Sequence, residues 1–214
     1  LEEMSAAVIG EKMYTLGGWH PGVYVFNFAT RTWSHPLHNR QYPGNHYAAV
    51  TVGARIFLIG GFTAHPQGIV QIYDTVQGSW TLGPILPWSA HGSVSAAYLR
   101  GEIHACGGLF DDDLGVVNPN NNPEDCFRLN PTTLVWTRFA SMIRGVDHAA
   151  FGTDGDHFFV FGGRDAGRNR ADPGIALCQK YTYDSDSWWV TEAPLFVVDC
   201  VCSQCPLCHL FCVP

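Results

Sequence analysis

The chain has 214 residues, 46% of them hydrophobic and only 14% charged, with a formal net charge of −7. That balance favours a packed domain over a disordered chain, and it argues against a nucleic-acid groove, which needs clustered Lys and Arg. No apolar run approaches the roughly 18 residues of a membrane span, and the acidic start, Leu1-Glu2-Glu3-Met4, has no leader pattern. The expected setting is cytoplasmic, away from membranes.

Taken in order, the chain reads as short strands bounded by turn residues. Unit one, about 4–37, has strands at 5–9, 12–16 and 23–28, a hairpin at 29–32, and Trp33 opening a fourth strand. Unit two, about 46–83, repeats the plan, with a third strand at 70–73 and Trp80 opening the fourth. Unit three, about 91–140, carries an insertion at 109–125 before its third strand and reaches Trp136. Unit four, about 148–192, carries another at 164–174, a third strand at 178–183, and Trp188 at the start of its fourth. The repeating region thus covers 1–193. From 194 to 214 the pattern is lost and a Cys-rich tail follows.

Four glycine pairs punctuate the units: Gly17-Gly18, Gly60-Gly61, Gly107-Gly108 and Gly162-Gly163. Each ends an apolar strand, where glycine permits positive φ and close backbone approach. The first glycines are 43, 47 and 55 residues apart, and the pairs are followed in turn by Trp33, Trp80, Trp136 and Trp188. Self-similarity at this period signals a repeat architecture. Asn27, Asp74 and Asn130 each stand six residues before the Trp, as side chains that cap a hairpin turn.

This composite of glycine pair, aromatic strand and closing Trp resembles the kelch repeat. The resemblance implies an all-β, kelch-type β-propeller of about four blades, each of four antiparallel strands. It also implies a structural role for the glycine pairs and the repeat Trp residues. Kelch propellers usually have more blades, so an incomplete propeller is expected, either a piece that closes by self-association with another copy or a truncated product, with a closed four-bladed ring as the alternative. Exposed edges are otherwise a liability.

In an up-and-down blade the loops joining strands two to three and four to one emerge on one face. That face collects loops 19–22, 62–68, 109–125 and 164–174 and links 38–45, 83–92 and 140–147. Long loops on one face of a rigid scaffold are commonly the binding face. In kelch relatives such a rim holds a partner peptide, which makes Arg40, Tyr42, Trp88, Arg144, Arg164 and Arg168 the expected partner-binding residues, the arginines through bidentate carboxylate bonds. The expected function is a non-enzymatic protein-interaction module or adaptor that takes a protein or peptide, with no cofactor.

Readings of other classes stay open. His46 and His148 stand 14 residues before their glycine pair and His91 stands 16 before, which suggests a shared hydrogen bond at the blade entrance or, alternatively, a channel metal. Cys202, Cys205, Cys208 and Cys212 have cluster-like spacing, so a metal-dependent enzyme or redox protein is the rival, although the tail is expected to hold no metal. Asp111-Asp112-Asp113 lacks the alternation of a calcium loop and reads as a solvated turn. Trp19, Trp88 and Tyr42 would permit stacking on a sugar. Cys106, Cys126 and Cys178 are expected to be buried thiols, and His104 and His157 to be hydrogen-bonded strand residues. No Gly-x-Ser-x-Gly, His-Glu-x-x-His or phosphate-loop pattern is present.

Overall fold

The computed structural model describes residues 3–63, 67–88, 90–110, 122–164 and 175–191. Their sixteen strands form four separate sheets. The first contains β1 (Met4–Ile9), β2 (Lys12–Gly17), β3 (Tyr24–Asn27) and β4 (Thr32–Trp33). The second contains β5 (Gly44–Val52), β6 (Arg55–Thr63), β7 (Ile69–Asp74) and β8 (Ser79–Ile85). The third contains β9 (Ser95–Leu99), β10 (Glu102–Cys106), β11 (Cys126–Leu129) and β12 (Trp136–Phe139). The fourth contains β13 (Ala150–Thr153), β14 (His157–Phe161), β15 (Cys178–Thr182) and β16 (Ser187–Thr191). Every pairing is antiparallel and sequential, so each sheet is a meander. The four sheets are the blades of a β-propeller. Their first strands line the axis and pack in series, β1 on β5, β5 on β9 and β9 on β13.

Turn chemistry sets the outer hairpins. The Asn27, Asp74 and Asn130 side chains each accept two backbone N–H bonds at 2.8–3.1 Å. Two residues before each Trp the backbone turns left-handed, at Arg31, Gly78, Leu134 and Asp186. A side chain that satisfies turn N–H groups removes the cost of leaving them bare. The strands then alternate, and both faces of an internal blade are apolar because each meets a neighbour.

The core consists of the three seams between blades. Ala7, Tyr14 and Leu16 meet Ile56, Leu58 and Tyr73. Val50, Phe57 and Ile59 meet Ala96, Ile103 and Leu129. Leu99, Cys106 and Phe139 meet Phe158, Tyr181 and Trp188. Burying a large aliphatic or aromatic side chain stabilises by about 1.5–3 kcal/mol, so these seams are the principal source of stability.

The glycine pairs sit where blades crowd the chain that enters them. A Cβ at Gly60 would lie 2.9 Å from the His91 carbonyl, and one at Gly107 would lie 2.7 Å from that of Val146. In both cases the contact is the link entering the following blade. The second glycine meets its own blade's entering chain: a Cβ at Gly163 would lie 2.7 Å from the Asp147 carbonyl.

Two expectations are corrected. Cys106 and Cys126 are not separate thiols. They stand opposite each other on β10 and β11 and are joined as a disulfide, with Cα atoms 4.3 Å apart. A directly opposed pair on adjacent strands brings its Cα atoms close enough for a bridge to form. Cys178 is buried, as expected. His104 lies fully buried among Phe139, Tyr181 and Tyr183, and neither ring nitrogen meets hydrogen-bond geometry, so it is held by packing.

Candidate functional site

Counting fourteen residues back from the first glycine of each pair gives Glu3, His46, Ser93 and His148. All four have positive φ, between 51° and 60°. None is glycine, and non-glycine residues rarely take this conformation. The left-handed step turns each chain toward the axis at the entrance to its inner strand. His91 is the residue the sequence suggests for this position in the third blade. Ser93 occupies it, and His91 instead packs its ring on Phe110, with centroids 4.8 Å apart.

These four residues gather at the channel mouth on the loop-bearing face. The His46 and His148 rings meet edge to face with centroids 4.8 Å apart. His46 Nδ1 lies 3.1 Å from Glu3 Oε2, which accepts a bond from Asn45 Nδ2 at 2.7 Å. Ser93 Oγ lies 3.4 Å from His148 Nε2, and His148 Nδ1 contacts Asp147 Oδ1. Asp147 is only 2% exposed. Its other oxygen accepts from Asn122 Nδ2 at 2.8 Å, and Arg164 Nε stands 3.4 Å from Oδ1. A buried carboxylate needs such partners, since an unpaired buried charge is costly.

The topology explains why these groups meet. Asp147 pairs with Arg164 in an antiparallel bridge, as Gly92 does with Leu109, and Asn45 and Phe62 form the corresponding pair in the second blade. The chain entering a blade is therefore stitched to the residue just after the glycine pair. This puts Arg164 and Asn122, at the ends of the two long insertions, beside the mouth. Farther along, β5, β9 and β13 line a cavity of about 270 Å³ that includes Thr51, Tyr98 and Phe151 and has no charged lining residue. The charged chemistry is thus concentrated at the mouth.

Burial, then the adjacent His148 and Arg164, push the His46 pKa down to about 4 against the opposing effect of Asp147. Burial pushes His104 down to about 4 as well. Both are neutral at pH 7. Below the ordinary histidine value of about 6.5 the unfolded chain takes up protons that the folded state refuses until about pH 4. Stability therefore falls as pH drops through that window. A urea midpoint measured from pH 7 to pH 4.5 should decline, and His104→Phe should flatten the decline.

The expected partner-binding residues divide. Arg144 and Arg164 are exposed on the loop-bearing face. The Arg144 backbone is clamped by Gln179, which accepts its N–H and donates to its carbonyl, each at 2.9 Å. Tyr42 is half-buried and held the same way by Gln71. Arg40 is a correction: it is 3% exposed, packed over the Tyr47 ring, and donates to the Gly18 and Gly44 carbonyls. It ties the first blade to the second and offers nothing to a partner. Trp88 stacks on Phe127, with centroids 5.3 Å apart, and donates to the Gly107 carbonyl. Its ring takes the place of the glutamine clamp in the third blade. Trp19 is 64% exposed. Arg168, Asp111–Asp113, Cys202, Cys205, Cys208 and Cys212 lie outside the described residues. Among the described residues no group of three or more His, Cys, Asp or Glu could hold a metal, and no helix is long and apolar enough to cross a membrane.

Residue type alone does not single out Glu3, Ser93, Asn122 or Asp147. Position in the repeat would have found Glu3 and Ser93, because the backbone step recurs at a fixed distance whatever the side chain.

Comparison with known proteins agrees with this architecture. The family model of the Kelch motif matches residues 43–87. The chain is 24% identical over 213 residues to Kelch-like protein terF of Aspergillus terreus, covering 91% of this chain and 45% of that protein. It is 27% identical over 191 residues to Kelch-like protein 23 of Homo sapiens, covering 85% of this chain and 32% of that protein. The chain therefore spans less than half the length of each of these relatives. The solved structure of YjhT superposes with a TM-score of 0.75 at 13% identity, covering 91% of this chain and 66% of that one.

Proposed function

Because the chain is a kelch-repeat protein built as a four-bladed propeller, we propose that it is a non-enzymatic protein-interaction module holding a protein or peptide partner at the channel mouth. The observation that carries this reading is the convergence of four blade entrances and both insertion ends on one mouth, with Arg144 and Arg164 exposed on the same face. The seams fix the blades rigidly, so little ordering of the scaffold is needed when a partner binds. Arg144 and Arg164 offer planar donor forks suited to carboxylates. The partner chemistry that fits is an acidic segment. Tyr42 adds an amphipathic ring on a clamped link, and Trp19 adds an exposed aromatic surface on the first blade's loop.

Peptides selected on the immobilised protein from a random display library provide the test. Selected peptides should be rich in Asp and Glu. Arg164→Glu and Arg144→Glu should each weaken binding by about tenfold or more, the scale of a lost charge-assisted bond. Arg31→Glu, on a hairpin at the opposite end of the first blade, should leave binding unchanged. Equal losses at all three positions, or none, would overturn the reading.

A further inference from the structure

The three internal seams share one construction. The face of a blade turned toward the preceding blade carries a cross-strand row ending in the repeat Trp. In the second blade the row is Ile56, Tyr73, Trp80; in the third it is Ile103, Leu129, Trp136; in the fourth it is Phe158, Tyr181, Trp188. All nine side chains lie against a neighbouring blade, and Ile56, Ile103, Leu129, Phe158 and Tyr181 are fully covered. Trp80 and Trp188 also donate their indole N–H to carbonyls of the intervening links, His38 and Ala140.

The first blade has the same row, Met13, Phe26, Trp33, on the face away from the second blade. Among the described residues no blade covers this face: Trp33 is 54% exposed, as are its face neighbours Phe28 at 45% and Val8 at 53%. Phe26 packs against both Phe28 and Trp33. At the other end, the face of the fourth blade turned away from the third carries the row Phe159, Lys180, Trp189, with Phe161 stacked on Phe159 and Trp189 61% exposed. The described residues thus present one open face of each kind, and the seams between them show what each kind accepts.

The seams also show a charge contact that the open faces are equipped to repeat. Five residues before each repeat Trp stand Phe28, Thr75, Pro131 and Tyr183. At the third seam, Arg128 of one blade lies over the Tyr183 ring of the next, 5.7 Å from its centroid. At the second, Arg55 donates to the Pro131 carbonyl at 3.0 Å. Lys180 occupies in the fourth blade the place Arg128 holds in the third, since each precedes the middle residue of its blade's Trp row. The ring that would receive it is the exposed Phe28, a cation–π pairing of the same kind.

We propose that blade one of one copy docks onto blade four of a second copy, repeating between chains the seam that joins blades within one. The contact is heterologous, because two different patches meet, and closure depends on each copy offering both. Trp33 and Phe28 of one chain would lie against Phe159, Trp189 and Lys180 of the other. The proposal is independent of what the channel mouth binds.

Light scattering of the whole chain across a concentration series tests it, with Trp33→Arg and Trp189→Arg as variants. Both positions are exposed, so far-UV circular dichroism should be unchanged. The parent chain should rise to two chains or more with concentration. Each variant alone should associate at least tenfold more weakly. An equimolar mixture of the two should regain association, because the intact fourth blade of one meets the intact first blade of the other. A parent chain that stays at one-chain mass throughout would overturn the proposal. So would association that both variants retain, or a mixture no heavier than its parts.

Discussion

Trp188→Ala should cost about 3–5 kcal/mol of unfolding free energy, the usual range for truncating a buried aromatic residue. Trp33→Ala, at the same place in the repeat, should cost about 0.5 kcal/mol or less, as expected of an exposed site. Trp188 is 9% exposed, packs against Phe158 and Tyr181, and donates to the Ala140 carbonyl at 2.9 Å. Its loss leaves a cavity in the third seam and an unpaired carbonyl beside it. Trp33 contacts Phe26 but has no neighbouring blade over it. Urea unfolding of both variants at low protein concentration, where copies are apart, reads the contrast. Equal losses would mean that the repeat Trp stabilises within its own blade and that seams are not the source of stability.

Gly107→Ala should cost about 3 kcal/mol or more. Two costs combine: a left-handed backbone held by a residue with a Cβ, about 1–3 kcal/mol, and displacement of packed backbone, of similar size. Gly107 has φ of 64°, and its Cβ would lie 2.7 Å from the Val146 carbonyl, which cannot rotate away as a side chain would. Gly10→Ala separates the two costs. Gly10 has φ of 56° but nothing within 4 Å of where its Cβ would lie, so only the backbone cost of about 1 kcal/mol applies. Thermal or urea unfolding should therefore rank Gly107→Ala well below Gly10→Ala.

The parts of the fold that are legible in the sequence are those fixed by backbone chemistry. A glycine pair is required wherever an entering link presses on the end of a strand, and an Asn or Asp is favoured wherever a hairpin leaves N–H groups bare. The glycine pair recurs in all four units and the Asn or Asp in the first three, so both appear as spacing. The kelch character and the four-stranded blades follow from them. What spacing cannot reveal is the destination of individual side chains. Arg40 lies in a polar link and reads as a surface charge, but it is buried because the Gly18 and Gly44 carbonyls and the Tyr47 ring surround it. Cys106 and Cys126 are twenty positions apart, and only the strand register sets them opposite each other. At the mouth, attention to histidine as a residue type favours His91 over Ser93, although the feature that recurs within this chain is the left-handed step. Asp147 and Asn122 come together through a blade-entrance bridge that no local pattern marks.

That the loop-bearing mouth receives the partner is tested most directly by the peptide affinities of Arg164→Glu and Arg144→Glu set beside Arg31→Glu. The expected result is a loss of about tenfold or more for each of the first two and an unchanged affinity for the third. Undiminished binding by both mouth variants, with their folds intact, would contradict it.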